Sequence, residues 1–383
     1  MNPLLVWTMA IASGATVANL YYNQPLLVVI GQSFRASSHE VGFIPMLTQV
    51  GYAVGILLFV PLGDLVERRK LITIMTSSTA GVMVLAALSP SLIWLVIASF
   101  AIGMTSVAAQ ILVPFAAHLA PPQERGKVVG TVMSGLLIGI LSARTVSGFV
   151  GAALGWQAVY WLGSGAMVVL AVVLSKSLPQ SQPTLKISYD RLMVSLGRVG
   201  REQPVLWEAA LIGALSFGAF SAFWSTLVFL LEQPPYRYGS EVAGLFGLVG
   251  IVGALAAPRV GKIADRRSHR FTVKLGILFS TLAFLVFWAF GLHLWGLILG
   301  VILLDLGVQT TQISNQAGIY SLPAEIHSRL NALYITVYFV GGAIGSYLGS
   351  YGWDHWGWNG VCGLSLLLLL TAFASFLCPK SID

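Results

Sequence analysis

PLGDLVERRK at 61–70 and GKIADRRSHR at 261–270 are one short basic loop written twice, about 200 residues apart. Two further pairs follow in the same order. LAPPQERGK (119–127) answers LPAEIHSRLN (322–331), and GWQAV (155–159) answers GWNGV (357–361). Three ordered matches at nearly one offset mark an internal repeat, the sign of an architecture built twice. The longest hydrophilic stretch, Ser175 to Pro204 with prolines at 179, 183 and 204, falls between the copies and reads as their linker. The expected organisation is therefore a first bundle over 1–178, a linker over 179–204 and a second bundle over 205–383.

The chain around these loops is apolar almost throughout. Its 383 residues are 56% hydrophobic and 9% charged, with mean hydropathy +0.83, against about a quarter charged in soluble domains. Apolar stretches recur near 4–30, 42–62, 71–89, 92–117, 128–151, 157–178, 205–231, 242–260, 271–290, 292–319, 330–350 and 358–378. Each is long enough to cross about 30 Å of hydrocarbon as a helix. The expected fold is an all-α membrane protein of twelve transmembrane helices in two pseudo-symmetric six-helix halves. The first stretch starts almost at Met1 with no Lys or Arg before it, which speaks against a cleaved signal peptide.

A pI near 9.5 and a net charge of +7 would suit nucleic acid, but the basic residues follow the loops instead of forming a patch. With twelve spans and both termini cytoplasmic, all but Arg35, Arg237 and Arg144 of the 21 Lys and Arg fall on the cytoplasmic side. Arg35 and Arg237 face outward, and Arg144 lies inside a span. The two cysteines, Cys362 and Cys378, are about 24 Å apart along one helix, which excludes a disulfide. No metal or cofactor is expected.

These loops carry a family resemblance that covers the whole chain. Gly261, Asp265 and Arg266, followed by Arg270, resemble the Gly-x-x-x-Asp-Arg signature of the major facilitator superfamily. The first copy keeps Asp64, Arg68 and Arg69, with Val60 and Leu65 in place of the signature Gly and Arg. The resemblance implies that Asp64, Arg68, Arg69, Gly261, Asp265 and Arg266 form a conformational latch; as bare chemistry the arginines are equally positive-inside anchors. Span five resembles the antiporter motif of that superfamily at Gly130 and Gly139, but Ala143-Arg144 stands for its Gly-Pro and Ser147-Gly148 for its Gly-Gly. Ser99 stands where span four of the family carries an Arg. ANLYYNQPLL (18–27) resembles the bacterial drug and metabolite exporter branch.

Ionisable residues at membrane depth cost several kcal/mol and point to function. Asp305, mid-span in stretch ten, is the candidate proton site; Glu208 lies near the start of stretch seven. Arg144 requires a partner, and two readings stand: an ion pair with Asp305, or a grip on an anionic group of the solute. Asp305, Gln309, Gln312 and Gln316 share one helical face, which belongs on a cavity or a helix interface and not on lipid. Asn19, Tyr22 and Asn23 share a face of helix one. Gln49, Tyr52, Gln110 and Trp224 complete the candidate solute contacts, lying on helices that the family resemblance sets around or beside the pathway. Hydrogen-bonded glue between helices is the other reading of Gln49, Tyr52 and Gln110.

The expectation is a secondary active transporter, with proton-coupled efflux of a drug-like compound or metabolite as the first reading. An uncoupled facilitator or importer of a small metabolite, an anionic one included, is the alternative. No Gly-Lys-Ser or Gly-Lys-Thr phosphate loop supports a primary pump, and no cluster of acids, histidines and nucleophiles supports an enzyme. The expected partners are a small solute, protons and the lipid bilayer. Nucleic acid is not among them, and a monomer in the bacterial inner membrane suffices.

Overall fold

A computed structural model of the chain describes residues 2–181, 183, 188–264, 269–323 and 326–377, with backbone alone over 254–264. Helices account for nearly all of it. In chain order they are α1 (Pro3–Ala18), α2 (Leu27–Phe34), α3 (Ser38–Val41), α4 (Phe43–Phe59), α5 (Arg68–Ala87), α6 (Leu92–Thr105), α7 (Ala108–Leu119) and α8 (Arg125–Leu154). There follow α9 (Trp156–Ser177), α10 (Tyr189–Glu202), α11 (Pro204–Glu232), α12 (Ser240–Ala264), α13 (His269–Phe290), α14 (Leu294–Ile319) and α15 (His327–Leu377).

Among the described residues nine helical segments are long and apolar enough to cross a membrane. Of the three further apolar stretches in the sequence, one lies in α12, whose side chains are described only as far as Gly253, and two are absent from that number for physical reasons. The first stretch is broken: α1 stops at Ala18, turns occupy 19–23, and a 3₁₀ turn runs over Gln24–Leu26 before α2. Pro25 has no N–H to give the carbonyl of Tyr21 and disfavours helical backbone in the residue ahead of it. The last segment, α15, is 51 residues long but non-helical at Gly357. At 1.5 Å per residue it would measure about 75 Å unbroken, far more than a bilayer. Stretch four is also interrupted, between α6 and α7 at Ser106 and Val107. Stretch five, having lost the motif proline, runs unbroken as the 30 residues of α8.

The repeat reappears in the backbone. Gly155, between α8 and α9, has φ +83°, and Gly357 in α15 has φ +59°. These are the glycines of the GWQAV and GWNGV pair, and positive φ is where a Cβ would be strained. Arg35 and Arg237, equivalent by the same offset, are both left-handed at φ 54° and 53°. Packing repeats as well: Gly14 of α1 meets the backbone of Gly135 and Gly139 on α8, and Gly218 of α11 meets Gly341 and Gly345 on α15. Bare backbones in contact are the usual means of close packing in lipid, where burial from water supplies no force between helices.

One element is new. Inside the expected linker, α10 places Leu192, Leu196 and Val199 on a buried face, with Arg191, Arg198 and Arg201 among its polar residues. Tyr189 Oη donates to the carbonyl of Leu58 at 3.0 Å, so the segment is pinned to the end of α4.

Candidate functional site

Where α1, α4, α7, α8, α11, α14 and α15 converge, they enclose a cavity of about 80 Å³. Its wall is aromatic: Phe217 stacks on Tyr338 at 4.1 Å between ring centroids, and Tyr52 meets Phe339 edge-on at 4.6 Å. Tyr21 and Phe220 close one side. The polar groups are three amides. Gln110 Nε2 donates to Tyr52 Oη at 3.2 Å, Tyr338 Oη donates to Gln312 Oε1 at 3.4 Å, and Gln309 joins them one turn before Gln312 on α14. No Asp, Glu, Lys, Arg or His side chain lines this space.

Behind Tyr21 and Phe220 lies Arg144, with no exposure at all. Its Nε donates to Gln24 Oε1 at 2.7 Å. The guanidinium carbon sits 4.0 Å from the Trp224 ring centroid, 4.8 Å from Tyr21 and 5.7 Å from Phe220. Stacking on three rings is how a guanidinium survives away from water, since its plane is weakly hydrated and attracted to π faces. Nη1 and Nη2 of Arg144 have no hydrogen-bond partner, nor has Trp224 Nε1 beside them.

Asp305 is 2% exposed on α14, and its Oδ2 likewise has no partner. The ion pairs of Arg68 with Asp64 and of Arg270 with Glu208 involve neither Asp305 nor Arg144. The two buried charges instead flank α12. A methyl group on Gly247 would stand 3.3 Å from Arg144 Cβ, and one on Gly250 would stand 3.0 Å from Asp305 Oδ2. Glycines at 244, 247, 250 and 253 give α12 a smooth ridge that lets α8 and α14 approach it at these two residues.

The structure brings Tyr52, Gln110, Gln309 and Gln312 of the candidate contacts into the cavity. The others lie elsewhere. Asn19 Nδ2 reaches Ser106 Oγ and Met167 Sδ, both at 3.4 Å, and Asn23 Nδ2 donates to Thr48 Oγ1 at 3.1 Å. Tyr22 turns its ring toward Gly163 of α9, while its carbonyl accepts from Ser147. Gln49 bridges α4 to α15 and α11 through Ser346 at 2.8 Å and Ser221 at 3.3 Å. Trp224 faces Arg144. Tyr21, not Tyr22, lines the cavity because the winding changes at Ala18, so helical spacing stops predicting the face. The signals for Tyr21, Phe217, Phe220 and Tyr338 were aromatic content alone.

At the first basic loop, Arg68 pairs with Asp64 at 3.0 Å and donates from Nε to the Gly63 carbonyl at 3.0 Å. Arg69 Nη1 reaches the Leu178 carbonyl at 3.4 Å. For the second copy, Asp265 and Arg266 lie outside the described residues, and Gly261 is described as helical backbone only. Cys378 also lies outside them.

At the Arg35 end of the bundle the early and late helices are bonded together. Gln32 Nε2 donates to Glu232 Oε1 at 2.8 Å, Ser38 Oγ to Asp354 Oδ1 at 2.9 Å, and Thr145 Oγ1 to the Gly244 carbonyl at 2.9 Å. Gly42 packs directly on Ser350.

Comparison with known proteins agrees with this architecture. The family model "Major Facilitator Superfamily" matches residues 9–325. "Uncharacterized transporter YgaY" of Escherichia coli is 44% identical over 362 residues, 94% of this chain and 92% of that protein. "Probable transporter SCO4007" of Streptomyces coelicolor is 31% identical over 357 residues, 93% and 83% of the two chains. Among solved structures, the nucleoside transporter NupG superposes with TM-score 0.80 at 12% identity, covering 98% of this chain and 100% of that one. An inward-facing bacterial homolog of the human lysosomal transporter Spinster gives 0.78 at 13% identity, covering 98% and 97%. At such identities the likeness is one of fold.

Proposed function

The chain belongs to the major facilitator superfamily, a family of membrane transporters, and from that premise we propose that it moves a small amphipathic aromatic solute by proton-coupled alternating access. The direction we assign is export across the bacterial inner membrane. The repeat halves, 1–178 and 205–383, rock about the central cavity while 179–204 tethers them. The observation that carries the reading is the cavity itself: stacked rings with three amides offer π faces and hydrogen bonds but no charge. Such a lining suits a ring-bearing compound of modest polarity.

Asp305 is assigned the proton. It is the buried carboxylate among the described residues, it has an unpartnered oxygen, and it lies one turn before Gln309, which lines the cavity. A carboxylate that sees water only when the cavity opens to one side gains or loses its proton with that side. The positive-inside bias of the basic loops supports a cytoplasmic location for both termini. The bonded end of the bundle is then the outer one, and the conformation is closed to the outside. Gln49 belongs to that closed seam.

The test is transport in proteoliposomes with an internal pH dye and an imposed pH gradient. Benzenesulfonate, benzamide and phenyltrimethylammonium serve as probes, with protein-free liposomes as control. At least one probe is expected to drive proton movement in wild type and to drive none in Asp305→Asn. Equal proton movement in the variant refutes the assignment of Asp305. Solute flux without any proton movement favours the second reading, an uncoupled facilitator or importer, which the scarcity of buried carboxylates supports.

A further inference from the structure

Arg144 is a fixed cation with five N–H donors, and the structure accounts for one of them. Nε is spent on Gln24; Nη1 and Nη2 are buried and unpartnered. Trp224 Nε1, on the ring that stacks 4.0 Å from the guanidinium carbon, is a third orphan donor. Donors without acceptors inside a membrane protein are a demand for negative charge, because each unmet group carries a desolvation cost. The bonded Nε fixes the fork so that its outer edge, Nη1 and Nη2, is the one left free. That edge matches the two oxygens of a carboxylate.

The guanidinium lies one ring away from the central cavity. Tyr21 and Phe220 line the cavity on one face and cover Arg144 on the other, at 4.8 and 5.7 Å from its guanidinium carbon. Tyr21 is carried by the broken part of helix one, where turns replace the α-helical ladder over 19–23. It is the covering ring that sits on irregular backbone; the other, Phe220, sits inside α11.

We propose that Arg144 Nη1 and Nη2, with Trp224 Nε1, form a covered anion site that takes the carboxylate of an aromatic acid whose ring occupies the central cavity, with Tyr21 as the movable cover. The inference rests on the cavity being the solute site and is independent of the direction of transport. It also gives the departure from the family's Gly-Pro a chemical purpose: Arg144 selects the charge of the solute. Its alternative as a packing residue leaves these three nitrogens unmet in the conformation described.

The test is binding to purified protein in detergent at neutral pH, read by tryptophan fluorescence and by melting temperature. Benzoate, benzamide and benzylamine present one ring with charges of −1, 0 and +1. Benzoate is expected to bind at least tenfold tighter than benzamide, and benzylamine weaker than both. In Arg144→Gln the benzoate preference should vanish while benzamide stays within about twofold of wild type. Trp224→Phe keeps the stacked ring but removes the third donor; it should weaken benzoate about three- to tenfold and spare benzamide, and it decides the matter if Arg144→Gln does not fold. Benzamide binding as tightly as benzoate overturns the anion site and leaves the cavity reading standing. A benzoate preference that survives in both variants overturns the assignment to these residues. If none of the three compounds binds, the cavity reading falls with the inference.

Discussion

The bond between Gln24 and Arg144 makes a quantitative prediction. Arg144 is buried with no exposure, and Gln24 supplies the hydrogen bond it makes, at 2.7 Å. Hydrogen bonds to charged groups contribute about 1.5–3 kcal/mol. Gln24→Leu should therefore cost about 2 kcal/mol in the wild-type background. In an Arg144→Met background the same change should cost close to nothing, because a methionine asks nothing of residue 24. The coupling energy of this double-mutant cycle is thus expected near 2 kcal/mol.

Arg144→Met alone should be nearly neutral. Removing a charge from the centre of a span recovers about 2.5–3.5 kcal/mol on insertion scales, which roughly offsets the lost hydrogen bond and the stacking on three rings. Reversible unfolding in mixed micelles, with the three variants run beside wild type, measures all four corners. Equal costs for Gln24→Leu in the two backgrounds would refute the view that residue 24 exists to hold the guanidinium.

Further outcomes follow from packing. Gly345→Val should destabilise the fold by about 1–3 kcal/mol or more, since its Cβ would strike the backbone of Gly218. Gly130→Ala, whose Cβ meets open space, should be neutral or stabilise by up to about 1 kcal/mol; the two melting temperatures form an internal control. Gln49→Leu removes the bonds to Ser346 and Ser221 at the closed seam, so a cysteine introduced by Ser225→Cys should react with a small maleimide at least about threefold faster in that background, and equal rates would mean that Gln49 does not hold the seam. Arg270→Ala breaks a 3.1 Å ion pair with Glu208 that is 44% and 26% exposed; its effect on unfolding should stay below about 1 kcal/mol.

Much of the architecture was legible because it is written in local chemistry. The repeated glycine-tryptophan pairs marked the internal repeat, and the backbone repeats there too, with Gly155 and Gly357 both at positive φ. The glycines at 341, 345 and 349 stand at four-residue spacing, and they meet Ala214, Gly218 and Ala222. The site was less legible, because a cavity depends on how each helix is rotated. The change of winding after Ala18 puts Tyr21, not Tyr22, in the lining. Gln309 and Gln312 reach the cavity together because α14 is unbroken over those residues, while Asp305 on the same helix packs against α12. Helix α10 was missed although its leucines repeat at four-residue spacing; three flanking prolines outweighed that signal in the reading of 179–204.

That short helix also limits how far the molecule can travel. Its 14 residues reach about 21 Å wound as a helix and about 46 Å drawn out as extended chain. With one end fastened to Leu58 and the other leading directly into α11, a connection between the proposed halves would behave as a strut. While α10 stays folded, the stroke at this face would be set by rotation about its anchor points. A variant whose α10 cannot form, such as one with a proline at Leu196, would gain slack of about 25 Å by the same arithmetic. Its amplitude of opening, measured between spin labels across that face, would then report how much of the transport cycle is governed by a segment that touches no solute.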